Sequence, residues 1–322
     1  MKVLVTGGAG YLGSMLVPTL LSAGHTVRVI DSLQHGGVSL LQVWSHPAFE
    51  FRRVDICDRP AVKSALSGME AIIHLAAIVG DPACARDPQR ARAINLEASL
   101  ELIEDSQRSG IERFIFASTC SNYGRMKDPN LYVDEESELS PGSLYAETKV
   151  AVEKALLASE KDKGWSPTPL RFATIYGTSP RMRFDLTVNE FTLEMLVRKK
   201  LVVFGEQFWR PYVHVRDAAR AIKLVLESSA GKVARRVFNV GSTEQNFQKQ
   251  RLVELIRPHA PEAAVEFVHK TEDPRDYRVS FSRISEELGF QITRTVTEGI
   301  AEVAALVRHN VINDFDNQSY RN

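Results

Sequence analysis

Eight residues near the start of the chain, Thr6-Gly7-Gly8-Ala9-Gly10-Tyr11-Leu12-Gly13, constrain its fold more than anything that follows. They come after a short apolar run, Val3-Leu4-Val5, and lead into an amphipathic stretch, the pattern of strand, glycine turn and helix. Gly7 permits a sharp turn where a side chain would clash. Gly10 lets the backbone, continued by Tyr11 and Leu12, approach a pyrophosphate seated on the helix N-terminus, and Gly13 lets that helix pack close to the strand. A glycine fingerprint alone is weak evidence, because glycine-rich loops are common. Here a second apolar run, Val27-Arg28-Val29-Ile30, ends in Asp31 at about the twenty-residue spacing that such a site needs. An acid there accepts the ribose hydroxyls of a dinucleotide and repels a 2′-phosphate, which favours NAD over NADP; Ser32 and Leu33 extend the expected contact.

Bulk properties remove other classes. The 322 residues carry a formal net charge of zero and no basic run, so neither nucleic acid nor a membrane surface is an expected partner. Cys57, Cys84 and Cys120 are too few and too scattered for a disulfide framework or a metal site, and fit a reducing cytoplasm. The first strand leaves no room for a signal peptide, and no apolar run approaches the roughly 20 residues of a membrane span.

Short β-branched runs alternate with helical patterns, the sign of parallel βαβ units. Strands are expected at 2–6, 26–31, 49–54, 70–74, 112–117 and 167–172, with helices near 11–23, 59–67, 88–109 and 143–163. Pro18 falls inside the first helix and calls for a bend or a local compensation. After Tyr176-Gly177 the rhythm changes to a helix near 187–198 and a strand at 201–204. Tyr212-Val213-His214 reads as a return to the main sheet, followed by a helix over 215–228 and a strand at 237–240; later helices are expected near 248–257, 282–288 and 296–309. The implied architecture is α/β, a Rossmann-like doubly wound parallel sheet with a smaller discontinuous α/β C-terminal substrate domain. Residues 1–176 plus 209–242 would bind NAD, and 177–208 plus 243–322 the substrate.

Three further strand ends carry chemistry. Asp55-Ile56 follows the third strand, where an acid and a backbone N–H can bond adenine, and Leu75-Ala76-Ala77 follows His74 with residues small enough for close passage. Either would be an ordinary turn acid or packing alanine in isolation. Ser118 and Thr119 close the apolar strand Phe114-Ile115-Phe116, leaving the Thr119 hydroxyl free for a substrate oxygen. Tyr145 and Lys149, four apart, share one helix face. Lowering a phenol by three pH units takes about 4 kcal/mol, which one cation about 4 Å away supplies at an effective dielectric near 20. Lys149, helped by an oxidised nicotinamide, could make Tyr145 a proton acceptor next to a hydride acceptor.

Together the glycine turn, Asp31, Asp55, His74-Leu75-Ala76-Ala77, Thr119 with Tyr123-Gly124, Tyr145/Lys149 and Leu170-Arg171-Phe172 resemble the extended short-chain dehydrogenase/reductase family. Within it they look like the NAD-dependent nucleotide-sugar epimerases and dehydratases, a likeness extended by Arg210-Pro211-Tyr212-Val213-His214-Val215-Arg216-Asp217, Phe238-Asn239-Val240-Gly241 and Asp273-Pro274-Arg275-Asp276. The resemblance implies Tyr145 as base, Lys149 as its partner and a ribose ligand, and Thr119 as the hydroxyl that orients the sugar. It implies that Asn95 supports the active-site backbone, that Ser118 and Phe172 lie by the cofactor, and that Arg210, Arg275 and Asp276 bind the sugar nucleotide along with Ser121, Thr174 and Asn189. A homodimer through helices 88–109 and 143–163 is implied as well.

Departures from the family narrow the reaction. Its 4,6-dehydratases carry an Asp-Glu pair after the threonine, where this chain has Cys120 and Ser121, and its decarboxylases carry a glutamate at the position of Ser121. Some carbon-3/5 epimerases and ketosugar reductases use a cysteine one position later than Cys120; a packing cysteine is the plainer reading. Thr174 stands where sugar 4-epimerases usually have asparagine. Arg181 and Arg183 add two cations that either bind a more anionic substrate or pair with Asp185 and Glu190. The expectation is an NAD-dependent nucleotide-sugar epimerase acting at carbon 4, with a ketosugar reductase or 3/5-epimerase as first rival and a 4,6-dehydratase behind it. A non-catalytic NAD-binding regulator is the remote alternative, which would have lost the tyrosine or the lysine.

Overall fold

The computed structural model describes all of the chain except residues 127, 129, 130, 160–163 and 274. The last four residues of the helix expected at 143–163, and Pro274 of the late motif, therefore lie outside the described residues. In chain order the strands are β1 (Lys2–Thr6), β2 (Thr26–Asp31), β3 (Phe49–Arg53), β4 (Ala71–His74), β5 (Arg113–Thr119), β6 (Ser166–Phe172), β7 (Thr174–Tyr176), β8 (Lys200–Phe204), β9 (Trp209–His214), β10 (Phe238–Val240), β11 (Asn246–Gln248) and β12 (Ala264–Val268). The helices are α1 (Gly13–Ser22), α2 (Arg59–Leu66), α3 (Asp81–Arg86), α4 (Pro88–Arg92), α5 (Ala98–Arg108), α6 (Leu144–Ala158), α7 (Thr187–Leu193), α8 (Val215–Glu227), α9 (Ala230–Val233), α10 (Lys249–Ile256), α11 (Ser282–Leu288) and α12 (Val296–Arg308).

Among the described residues, seven strands make one parallel sheet in the order β10-β6-β5-β4-β1-β2-β3. The order reverses between β1 and β4, so their C-terminal ends open a crevice. Alternation along β1 sends Val3 and Val5 to one face, with Leu16, Leu20 and Ile222, and Leu4 to the other, with Phe114, Val152 and Leu156. A further core, around Val188, Leu201, Tyr212, Leu252 and Ile300, holds α7, β8, β9, α10 and α12 together.

Pro18 is accommodated inside α1. It has no N–H to give Ser14 O, and the Gln42 side chain donates to that carbonyl instead, at 2.9 Å. The helix expected at 88–109 is broken into α4, a wide π turn over Ala93–Glu97, and α5. Tyr212-Val213-His214 does not return to the main sheet. It lies in β9, which pairs with β7 and β11 in a separate three-stranded sheet, because β10 occupies the edge of β6. Among the described residues no helix is long and apolar enough to cross a membrane.

Candidate active site

The crevice at the sheet switch point is a cavity of about 650 Å³. Gly7 turns with φ +73°, and a Cβ there would stand 2.8 Å from the backbone nitrogen of Ala76; a Cβ on Gly13 would run into the Gly7–Gly8 backbone. No side chain caps α1, and the N–H groups of Tyr11 and Leu12 donate to nothing among the described residues. Asp31 accepts from Ala9 N at 3.0 Å and Leu33 N at 2.8 Å; burial raises its pKa against both bonds. Leu33 itself does not line the cavity. It serves through its backbone, at φ +60°.

A buried hydrogen-bond chain fixes the end of β4. Thr6 Oγ1 accepts from Leu75 N (3.2 Å) and Ala76 N (3.1 Å), so its own proton goes to His74 Nδ1 at 2.7 Å. His74 Nε2 then donates to Ser99 Oγ (2.9 Å), which donates to Asn95 O (3.0 Å). The Asn95 side chain clamps the backbone of Ile78 at both N–H (2.8 Å) and C=O (2.9 Å). Asn95 thus shapes the cavity wall without lining it. Burial, with the Lys149 charge adding, pushes His74 down to about 3, consistent with a neutral ring.

Thr119 ends β5 at the cavity, its Oγ1 accepting from Ser121 N at 3.1 Å and donating to nothing among the described residues. Tyr145 and Lys149 line the same cavity from α6, whose cap Ser143 accepts from Ala146 N (3.3 Å) and donates to Asp81 (2.6 Å). The Lys149 ammonium donates to Ala117 O at 2.8 Å and stands 5.9 Å from the centre of the Tyr145 ring. Burial lowers Lys149 to about 8. Burial also raises the Tyr145 phenol, and the cation that opposes this is Arg183.

Two neighbours commit their side chains elsewhere, although Ser118 itself lines the cavity. The Ser118 hydroxyl goes to Glu153 at 2.8 Å, inside a buried Arg171–Glu153 ion pair. Cys120 is buried outside the cavity, with Sγ on Arg171 O at 3.2 Å, and burial raises its thiol well above the ordinary value.

A second cavity, of about 770 Å³, shares Ser121, Thr174, Thr187, Glu190, Arg275 and Tyr277 with the first and adds Arg210 and Lys249. Arginines of both cavities are tied to acids. Arg210 donates to Asp273 at 2.7 Å, Arg275 pairs with Asp81 at 3.0 Å, and Arg183 forks onto Asp185 at 2.9 and 2.7 Å. Arg181 donates to Arg321 O (3.0 Å) and Asn322 Oδ1 (2.8 Å). Asn189 and Asp276 do not line either cavity: Asn189 holds Gly177 N at 3.0 Å, and Asp276 accepts from Trp209 N at 2.8 Å. Sequence reasoning passed over Tyr277, whose hydroxyl lies 3.3 Å from Ser121 Oγ, although it directly follows the Asp273–Asp276 motif. It also passed over Asp81, for which the sequence carries no signal.

Residues 3–241 match the NAD dependent epimerase/dehydratase family. The chain belongs to that family. It is 29% identical to the UDP-glucose 4-epimerase of Corynebacterium glutamicum, over 94% of each chain. It is 31% identical to the dTDP-glucose 4,6-dehydratase of an Actinoplanes species, over 96% of this chain and 98% of the relative. Among solved structures it is similar to the UDP-glucuronic acid 4-epimerase of Bacillus cereus in complex with UDP-glucuronic acid and NAD, with a TM-score of 0.86, 25% identity, and 96% and 99% of the two chains covered. This member of the epimerase/dehydratase family is thus an NAD-dependent enzyme of nucleotide-sugar chemistry. The cavity suits NAD: it offers unpartnered N–H groups at the head of α1, an acid at the end of β2, and walls kept thin by Ala76 and Ala77.

Proposed function

We propose that the chain is a nucleotide-sugar 4-epimerase. In this reading Gly10, Tyr11, Leu12 and Gly13 hold the pyrophosphate of NAD, Asp31 and Ser32 a ribose, Asp55 and Ile56 the adenine, and Leu75, Ala76, Ala77, Lys149 and Phe172 the nicotinamide half. Bound NAD supplies the hydride acceptor and donor, and a positive charge beside the phenol. Thr119 donates a hydrogen bond to the sugar C4 oxygen. Tyr145 takes the hydroxyl proton as the C4 ketone forms and returns it when the opposite face is reduced. Segments 177–208 and 243–322 carry the sugar nucleotide in the second cavity, its diphosphate near Arg210 and Arg275.

The observation that carries the choice of reaction is the pair after Thr119. Cys120 is buried away from the cavity and Ser121 is engaged with Tyr277, so no carboxyl stands where elimination needs its acid and base. The buried thiol likewise speaks against proton exchange by Cys120 at carbons 3 and 5. Incubation with UDP- and dTDP-sugars in D₂O tests the reading. Inversion at carbon 4 without deuterium at carbons 3 and 5 is expected; net consumption of NADH with ketosugars would show a reductase instead. A homodimer through α4–α6 belongs to the same reading, and Leu100 on α5 is 37% exposed for such a contact.

A further inference from the structure

The six residues common to both cavities mark their junction, the place next to the catalytic side chains where a sugar joined to a nucleotide must lie. The charges there are unequal in their freedom. Arg275 is bound to Asp81, and Arg183, which lines the first cavity alone, is forked onto Asp185. Glu190, one turn into α7, differs: its N–H donates to Leu186 O at 2.7 Å, and its carboxyl makes no hydrogen bond or ion pair among the described residues. Burial raises its acid, Glu194 and Asp185 push the same way, and Arg321 is the cation that opposes them. A partly buried carboxylate left without a partner is costly unless something that enters the site satisfies it.

We propose that Glu190 sets the charge of the sugar this site accepts, taking hydrogen bonds from the hydroxyls of a neutral sugar and excluding sugars that carry a carboxylate. The inference rests on reading the two cavities as one nucleotide-sugar site. Of the two cations that the sequence offered to an acidic sugar, Arg183 is spent on Asp185, while Arg181 donates to Arg321 O and Asn322 Oδ1 and pairs with no acid among the described residues. Two like charges forced together at a desolvated contact discriminate strongly, by about tenfold or more.

The test is titration of the NAD-loaded protein with two matched pairs, UDP-glucose with UDP-glucuronic acid and dTDP-glucose with dTDP-glucuronic acid, so that the base does not decide the outcome. The neutral member of a pair is expected to bind about tenfold tighter or better. Glu190→Gln keeps the shape and removes the charge; it should strengthen binding of the acidic sugar and bring the ratio within about threefold. A merely structural role would not produce that gain. Equal or tighter binding of the acidic sugars by the unmodified protein, or a ratio that Glu190→Gln leaves unmoved, overturns the proposal. If the preference and its response appear but no sugar is inverted at carbon 4, the 4-epimerase reading falls and the role of Glu190 stands. If none of the four ligands binds, both fall.

Discussion

The two cavities are built from different materials. The one at the sheet switch point is walled by backbone: a glycine turn, unpartnered N–H groups, alanines, and the peptide segment after β4 that Asn95 clamps. The second is walled by long charged side chains whose partners arrive from distant segments, Arg210 to Asp273 and Arg275 to Asp81. Backbone walls are dictated by short runs of sequence. Side-chain walls are dictated by which loops the fold brings together. The first kind of site is rigid and generic, and the second is adjustable, which suits a family whose members share a cofactor and differ in substrate.

Four experiments would break or sharpen this contrast. The largest effect is expected for Tyr145→Phe, which should lower turnover by a hundredfold or more while NAD stays bound, because in the proposed reaction the phenol moves the proton and the cradle is backbone. Retained activity would remove Tyr145 from the chemistry. Next, Arg210→Leu should destabilise the protein by about 2 kcal/mol and raise KM, since the buried Asp273 loses its 2.7 Å partner while Lys249 stays 3.7 Å away. Adding Asp273→Leu should recover most of the stability in a urea titration but none of the substrate affinity. Equal recovery of both would show that Arg210 is purely structural.

Acid should act on the backbone cavity through His74. Its folded value near 3 lies below the roughly 6.5 of an unfolded chain, so as pH falls the unfolded state takes up the proton first. Stability from this group is whole above pH 6.5 and declines down to about 3, a loss of about 2 kcal/mol between pH 7 and 5. Denaturant melts across that range should show the slope, and His74→Gln should flatten it. The smallest effect is expected for Gln42→Ala, about 1 kcal/mol, from leaving Ser14 O unbonded. Pro18→Ala in the same background should restore it by returning the helical N–H.

The legibility of the chain follows the same division. The strands of the sheet and the helices around it were readable because each carries its own periodicity, and Gly7, Asp31, Thr119 and Tyr145 because each sits at an element end, with Lys149 one helical turn beyond Tyr145. The placement of β9 was not, because joining a sheet depends on which edge is free, and β10 held it. The spacing of Tyr145 and Lys149 predicted their shared face, and both line the cavity, but the bond from the ammonium to Ala117 O was not legible. That bond depends on a carbonyl 32 residues away. Cys120, Asn189 and Asp276 lie beside the right motifs, and their side chains are consumed by neighbours that no local pattern names.

The central claim is that hydride leaves carbon 4 of the sugar and returns to that carbon while Tyr145 carries the proton. Turnover of a nucleotide sugar deuterated at carbon 4, read by NMR and mass spectrometry, tests it most directly. The account predicts a product inverted at carbon 4 that keeps its deuterium there. Deuterium found at carbon 6, or lost from the sugar altogether, would contradict it.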